Sequence, residues 1–324
     1  MSASVENLTF DETVASITQT GLEWHRETIL ENSRRNAAHI GATIRSVFPD
    51  AKPCLVVSAG PSLYKEKILR RLKVYDFKGG IIATDGAYIQ CLKAGITPDW
   101  VITLDPHPTR MVRWFGDPDL ARNMEGDDYF TRQDLAKDFR TESARQNEAN
   151  IAQVDANPAK LVIASTAPAN VVARTAAFDR YWFVPLVDAP SKGSLTRIMC
   201  AATGAPALNT GGTVGTAAWA FAHQVLQAPD IAVVGMDFGY YPDTPLEQTQ
   251  SWHMLGGDPA MYPTERGQWG EAFTDPTYYW YRQNFLDLLK AADARIVNCS
   301  GAGLLYGERV QCMELEEWLK SANM

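Results

Sequence analysis

Short apolar runs separated by helical stretches organise most of the chain beyond residue 51. Seven runs rich in β-branched residues read as buried strands, and they cover residues 54–58, 80–84, 99–104, 160–165, 181–187, 230–235 and 294–299. Continuous apolar strands that alternate with helices are typical of a parallel sheet covered on both faces. The pattern therefore predicts an α/β fold with a mainly parallel sheet.

Three segments depart from this alternation. Residues 11–47 show apolar positions at helical spacing, and we predict one helix there within an N-terminal helical segment, 1–50. A charged, amide-rich stretch at about 107–157 reads as a surface excursion or a small helical insertion. The Pro-, Gly- and aromatic-rich stretch at about 240–277 reads as a lid-like functional loop. We predict one domain over residues 51–320 that carries both insertions.

The formal net charge of −8 narrows the possible partners. An acidic chain without a basic run is a poor candidate for binding nucleic acid or anionic membranes. The polar N-terminus does not resemble a signal peptide, and no apolar run reaches the ~18 residues of a membrane span. The five cysteines are widely spaced and form no metal-binding pair. We expect a cytoplasmic protein with free thiols, and the sequence leaves its oligomeric state open.

A glycine-containing turn, Ala59–Ser62, follows the first predicted strand; we call it the first turn. Gly60 lets the backbone approach a ligand closely. Pro61 presets a helical turn whose free N–H groups favour an anion. An ordinary strand–turn–helix corner would look the same, so this turn alone does not decide between binding and structure.

The second turn, Asn209–Thr216, carries three glycines and three threonines at the start of a predicted helix. Such a turn at a helix N-terminus is a good phosphate cradle. It lacks the lysine of a Walker A loop and does not match the dinucleotide fingerprint, which disfavours a P-loop kinase and a standard NAD site. Close packing at Gly215 is the alternative explanation.

Three aspartates, Asp85, Asp105 and Asp237, each follow a predicted strand. Ligands of open α/β sheets bind at that edge, although each aspartate could instead cap the next helix. No paired acidic motif stands beside them, so a metal is not implied and the metal requirement stays open. His253, in the long loop after Asp237, is a candidate general base near neutral pH, and His107 is a second candidate.

These motifs together resemble one family. The sequences GPSL, ATDGAYIQCLKAGITPDWVITLDP, NTGGTVGTAAWAFA, VVGMDFGYY and RIVNCSGAGLLYGERVQCMELEEWL are similar to the MptE-like family. That family includes the bacterial motility-associated (Maf) glycosyltransferases and the archaeal 6-hydroxymethylpterin pyrophosphokinases. The likeness runs from about Lys52 to Lys320, and it implies a Rossmann-like sheet.

In the Maf branch the resemblance implies transfer of a nonulosonic sugar, of sialic or pseudaminic type, from a CMP donor to a hydroxyl of a glycan or protein acceptor. The second turn and the Asp-Phe motif are also similar to bacterial CMP-sialic acid sialyltransferases. Carried over, this likeness assigns nucleotide binding to Gly60, Pro61, Ser62, Asp85, Thr210, Gly211, Gly212 and Thr213. It implies that Tyr240 or Tyr241 steadies the departing phosphate and that His253 acts as base, with Asp105 and Asp237 as further catalytic candidates.

The chain departs from these patterns at two places. Ala59 stands where the sialyltransferases have a nucleotide-contacting asparagine, and residues 103–106 keep only one of the carboxylates typical of the pyrophosphokinase branch. The second departure favours sugar transfer. An Mg²⁺–ATP diphosphokinase acting on a hydroxymethylpterin-like alcohol is the alternative, and a non-catalytic nucleotide-binding module is the third reading. No prosthetic group is expected in any of them.

Overall fold

A computed structural model describes residues 8–108, 111–123 and 139–323 of the chain. For residues 18–22, 24, 139–144 and 253–254 it describes the backbone alone. The strands in these residues are β1 (Ala42–Thr43), β2 (Cys54–Val57), β3 (Gly80–Thr84), β4 (Trp100–Thr103), β5 (Lys160–Ala164), β6 (Asp179–Pro185), β7 (Ala207–Leu208), β8 (Ile231–Val234), β9 (Thr264–Gly267), β10 (Gly270–Phe273), β11 (Ile296–Asn298) and β12 (Val310–Cys312).

One large sheet forms the centre of the protein. Its strand order is β1-β6-β5-β4-β3-β2-β8-β11-β12, with β7 also paired to β6. Every pairing in it is parallel. Strands β9 and β10 form a separate antiparallel hairpin. The predicted mainly parallel, Rossmann-like sheet is confirmed, and all seven predicted strands belong to it.

Helices cover both faces of the sheet. In the described residues they are Phe10–Asn36, Pro61–Lys65, Ile68–Val74, Asp85–Lys93, Met111–Trp114, Leu120–Asn123, Phe139–Ala156, Ala169–Arg174, Leu195–Thr203, Val214–Gln224, Trp252–Leu255, Pro276–Ala291 and Leu315–Ala322. Val214–Gln224 and Pro276–Ala291 pack on the face that carries Val56. The helices that follow β2 and β3 pack on the opposite face together with the C-terminal helix.

The central strands are apolar throughout because both faces of the sheet are covered. Leu55, Val56 and Val57 of β2 are all fully buried, and successive residues point to opposite faces. We call Val214–Gln224 the second-turn helix. Its residues Ala217 to Ala222 are also fully buried, which fits a helix that is apolar on every side. This helix lies between the sheet and the helix Pro276–Ala291.

The N-terminal helix is shorter than predicted. It begins after a capping box formed by Thr9 and Glu12 and ends at Asn36, so the predicted continuation to residue 47 is wrong. The amide of Asn36 is fully buried and donates to the carbonyls of Ser165 and Ala167 at 2.8 and 2.7 Å. The chain then turns and pairs as β1 with β6. Tertiary hydrogen bonds therefore end the helix at Asn36, although the helical spacing of apolar residues continues to residue 47.

The N-terminal helix crosses the edge of the sheet where the strands have their carboxyl ends. Near its start, the ring of Phe10 lies 5.4 Å from that of Tyr279. Near its end, the Asn32 amide donates to the carbonyl of Thr166 at 2.8 Å, just beyond β5. A helix of this length spans about 40 Å, which is enough to reach across several strands.

Both predicted insertions contain regular structure. The described part of 107–157 holds three of the helices, whereas residues 109–110 and 124–138 lie outside the described residues. The stretch 240–277 contains the β9–β10 hairpin and the helix Trp252–Leu255. All five cysteines are free, as expected. Among the described helices, none combines the length and apolarity that crossing a membrane requires.

Candidate functional site

The strand order reverses between β2 and β8. Strands β3 to β6 continue the sheet on one side of β2, whereas β8, β11 and β12 continue it on the other. In open α/β sheets, ligands bind in the crevice outside the carboxyl ends of the strands at such a reversal. The first turn follows β2 and Asp237 follows β8, so two of the predicted site features meet there.

Asp237 caps the short helix that begins in the first turn. The backbone N–H of Ser62 donates to its Oδ2 at 2.7 Å, and the Ser62 hydroxyl donates to Oδ1 at 2.6 Å. Gly60 is needed for this approach, because a Cβ there would come within 2.4 Å of the Gly235 carbonyl oxygen and 2.8 Å of Asp237 Oδ2. The donors that were expected to face a ligand anion thus already hold a carboxylate of the chain.

The environment of Asp237 raises the pKa of its carboxyl towards neutrality. Burial raises the pKa of its carboxyl from the ordinary 3.8 to about 6, although the two hydrogen bonds from Ser62 act in the opposite direction. The nearby carboxylate of Glu66 raises the pKa further. A carboxyl that titrates close to neutrality is suited to proton transfer, but the capping role alone also explains its position.

The two predicted phosphate-binding tyrosines both contact carboxylates. Tyr240 is buried; its hydroxyl donates to Asp275 at 2.9 Å and accepts the N–H of Gln250 at 2.9 Å. Tyr241 donates to Glu66 at 2.8 Å. In this structure the hydroxyl hydrogens of both tyrosines are therefore engaged by acidic partners.

A small cleft opens beside Asp237. Its volume is about 150 Å³, and its lining includes Glu66, Tyr241, Trp269 and Gly303. Sites for drug-sized ligands occupy roughly 300–1,000 Å³. The cleft is therefore too small for a whole nucleotide-sugar.

The second turn forms the capped N-terminus of the second-turn helix, and its Gly212 is exposed. Thr213 is the cap: its Oγ1 accepts the N–H of Thr216 at 3.1 Å. Gly211 and Gly212 adopt φ values of +53° and +86°, a region that favours glycine. A Cβ on Gly212 would also come within 2.7 Å of the Trp280 ring. Thr210 is buried beneath the turn.

Close packing, the alternative explanation for this turn, accounts for the glycine at position 215. A Cβ at this position would lie 2.9 Å from the Ser58 hydroxyl oxygen and 3.1 Å from Met236 Cε. Its absence lets the second-turn helix approach the ends of β2 and β8 closely. The turn thus combines glycines for backbone conformation with one glycine for contact with the sheet.

Asp85 and Asp105 lie at the ends of the neighbouring strands β3 and β4. Asp85 is buried; its carboxylate accepts the Thr103 hydroxyl at 2.8 Å and the N–H of Gly86 at 2.7 Å. Asp105 accepts the N–H of His107 at 2.8 Å. Among the described residues, no group of three or more His, Cys, Asp or Glu side chains is arranged to hold a metal ion.

The histidine candidates lie on different elements. His107 Nε2 is 3.2 Å from Nδ1 of His25, which joins the strand-end loop to the N-terminal helix crossing above it. The backbone of His253 belongs to the helix Trp252–Leu255, and its side chain lies outside what the structure describes. Its predicted role as base therefore stays a prediction.

Sequence reasoning overlooked several polar groups at this edge. Ser58 and Thr84 were the last residues of two predicted strands, and their position at the carboxyl ends could have marked them. Asn32 and Asn36 fall inside the predicted N-terminal helix, and they gave no signal because an amide at these positions does not interrupt the apolar pattern. Glu66 gave no sequence signal because its partner Tyr241 is distant along the chain.

Two comparisons with known proteins bear on these features. Residues 27–121 match the family model described as 6-hydroxymethylpterin diphosphokinase MptE-like. The predicted resemblance is confirmed. The matched segment includes the first turn, Asp85 and Asp105 but not the second turn. No curated protein matches the chain in sequence.

The structure is similar to that of a Maf glycosyltransferase from Magnetospirillum magneticum AMB-1, with a TM-score of 0.54 and 15% sequence identity. The similarity covers 92% of this chain and 41% of that protein. The chain thus spans about two fifths of the length of that glycosyltransferase. At this identity the similarity establishes a shared fold.

Gly60→Ala should destabilise the protein by about 2 kcal/mol or more, because its Cβ would clash with the backbone of Gly235 and with Asp237. Gly41→Ala is the matched control, since nothing lies within 4 Å of a Cβ there. The control should be neutral or slightly stabilising. Urea unfolding of the two variants measures the difference; equal stabilities would contradict the proposed close approach.

Asp237→Asn tests the raised pKa. Since the folded-state pKa of about 6 exceeds the ordinary 3.8, the carboxyl stabilises the fold below pH 3.8 and loses that contribution as the pH rises through 6. Wild type should therefore lose stability relative to the variant between about pH 4 and pH 7, by at most about 3 kcal/mol. Asp243→Asn removes an exposed carboxylate whose pKa is lowered, so the stability difference between wild type and this variant should stay flat over this range and change only below about pH 4. A wild type that gains stability on the variant over this range would refute the raised pKa.

Proposed function

We propose that the protein is a glycosyltransferase that moves a nonulosonic sugar from a CMP donor to a hydroxyl acceptor on a glycan or protein. The observation that carries the proposal is the second turn: a partly exposed, glycine-rich helix N-terminus beside the strand reversal. The fold shared with a Maf glycosyltransferase and the family match of residues 27–121 support the broader class of transferase.

The nucleotide would lie against the second turn. The first helical turn of the second-turn helix has backbone N–H groups and the positive end of the helix dipole, which favour anionic groups. The residues directly before it are Thr210, Gly211, Gly212 and the N-cap Thr213. Asp85 directly follows the neighbouring strand β3, and it is the candidate to accept a hydrogen bond from a hydroxyl or amino group of the nucleoside. Gly60, Pro61 and Ser62 would shape the crevice, with Asp237 holding their turn in place.

The reaction needs two contributions from the protein. The bond between the sugar and the phosphate breaks, so the departing phosphate must be stabilised, and the acceptor hydroxyl loses its proton as its oxygen bonds to the sugar. His253 is the proposed base, because it lies in the segment that directly continues from Asp237 and Tyr241. Asp105 is the proposed residue that orients the loop carrying His107.

A diphosphokinase is the second candidate, favoured by the description of the matched family model. It would transfer a diphosphoryl group from Mg²⁺–ATP to an alcohol, with Asp85 and Asp105 as the carboxylates at the strand ends. Mg²⁺ is often held by one or two carboxylates plus the substrate phosphates, so the absence of a three-ligand cluster among the described residues does not decide against it.

The nucleotide that the protein binds distinguishes the glycosyltransferase from the diphosphokinase. In a thermal-shift panel of CMP, UDP, GDP and ATP, CMP should raise the melting temperature by mass action, whereas ATP with Mg²⁺ should not. Thr213→Val should weaken CMP binding about tenfold or more because it removes the cap that shapes the turn. Ser194→Ala is the matched control, since Ser194 caps the helix Leu195–Thr203 in the same way. Binding of Mg²⁺–ATP alone, with EDTA-sensitive release of AMP, would favour the diphosphokinase.

His253→Ala should lower sugar-transfer turnover by roughly 100-fold or more, the usual size of a general-base contribution, while CMP affinity stays unchanged. His223→Ala is the control, because His223 stacks on Trp219 near the C-terminal end of the second-turn helix. Turnover is measured with a CMP-sugar donor at saturating concentration. Full activity in the His253 variant would exclude this base, and a chain with no turnover despite CMP binding would point to a binding module.

A further inference from the structure

Two buried hydroxyl groups on the neighbouring strands β2 and β3, at the carboxyl edge of the sheet, have no hydrogen-bond partner among the described residues; the Ser300 hydroxyl beyond β11 is a third. Ser58 directly follows β2, and Thr84 is the last residue of β3; they are 6% and 1% exposed. Ser58 Oγ and Thr84 Oγ1 are both unbonded. The hydroxyl of Thr103 on β4, by contrast, donates to Asp85. Burying an unpaired hydroxyl costs stability, so this pair calls for a physical explanation.

Ser58 lies under the start of the second-turn helix, and Thr84 lies beside it on β3, at the N-cap position of the helix Asp85–Lys93 but without a side-chain cap bond. Val57 and Ala83 are partners in the parallel register, which makes Ser58 and Thr84 neighbours at the strand ends. Side chains alternate along a strand, so both point to the face on which the second-turn helix packs. Ser58 Oγ lies directly beneath the first helical turn, only 2.9 Å from where a Cβ of Gly215 would be.

The same turn offers backbone donors. The N–H groups of Val214 and Gly215 belong to the first turn of the helix and have no acceptor within it. That of Thr216 is satisfied by the cap Thr213. The start of this eleven-residue helix thus has two amides without an intrahelical acceptor next to the Ser58 hydroxyl, with Thr84 on the neighbouring strand. Hydroxyl and amide donors at a helix N-terminus are the donor set that binds phosphate oxygens.

We propose that Ser58 and Thr84 form the floor of a phosphate subsite, in which they become hydrogen-bonded when the nucleotide's phosphate is bound, directly or through one fixed water. This inference rests on the proposed function and specifies where the phosphate lies. It places the phosphate at the second turn rather than at Tyr240 and Tyr241, whose hydroxyls already contact carboxylates. Ser58, the residue before Ala59, would also supply a polar contact to the nucleotide that Ala59 cannot make.

The test compares CMP with cytidine on the full chain by isothermal titration. Ser58→Ala and Thr84→Val should each weaken CMP binding about tenfold, the usual effect of losing one hydrogen bond to a charged group. Cytidine, which has no phosphate, should bind each variant within about twofold of wild type. Without ligand, both variants should unfold at the same denaturant concentration as wild type or a higher one, because an unpaired buried hydroxyl is removed.

Two further variants distinguish this role from simple packing. Thr84→Ser retains a hydroxyl and should restore CMP affinity. Thr175→Val removes a fully buried hydroxyl that donates to the Val171 carbonyl at 2.8 Å, so it should lower stability and leave CMP binding unchanged.

Three results would overturn the subsite: unchanged CMP affinity in both floor variants, an equal loss for CMP and cytidine, or a clear loss of stability in the unliganded variants. Each of these leaves the proposed function standing as long as the wild type binds CMP. A wild-type chain that binds no CMP would instead reject the proposed function, and the subsite with it.

Discussion

The contact between Asp237 and Ser62 is the constraint on which the arrangement of the site depends. It joins the end of β8 to the helix that follows β2, across the point where the strand order reverses. The contact requires close backbone approach on both sides, because a Cβ at Gly60 or at Gly303 would come within 3 Å of Asp237. With these two strand ends held together, the adjacent second-turn helix can pack on Ser58 and Met236.

The sequence predicts the sheet well because burial on both faces leaves a strong local signal. Each of the seven apolar runs became a strand, whereas the short strands β1, β7 and β12 carry two or three residues each and no apolar run of comparable length. The end of the N-terminal helix was missed for a different reason. Asn36 ends it by bonding to carbonyls more than 100 residues away, and such a contact leaves no trace in local periodicity.

The sequence predicted that the residues of the candidate site share one edge of the sheet, but it did not predict which of them pair with each other. Strand ends and glycine turns located the edge where Asp85, Asp237 and the two turns meet. The partners could not be read from the sequence, because Ser62 and Asp237 are 175 residues apart. The sequence offered both turns as anion sites, the second more strongly, because nothing local indicates that a distant carboxylate occupies the first.

Because the Asp237 carboxylate occupies the first turn, the carboxyl edge of the sheet has two regions of different chemistry. Around the first turn, Asp237, Glu66 and Asp243 place carboxylates within one small area, and Lys65 is already paired with Asp243 at 2.8 Å. Around the second turn, the facing groups are amides and the hydroxyls of Ser58, Thr84 and Thr213. An anionic donor is repelled by the first region and attracted by the second. Besides joining two strand ends, the capping carboxylate therefore fills one helix N-terminus and leaves the other as the place that we propose for the phosphate.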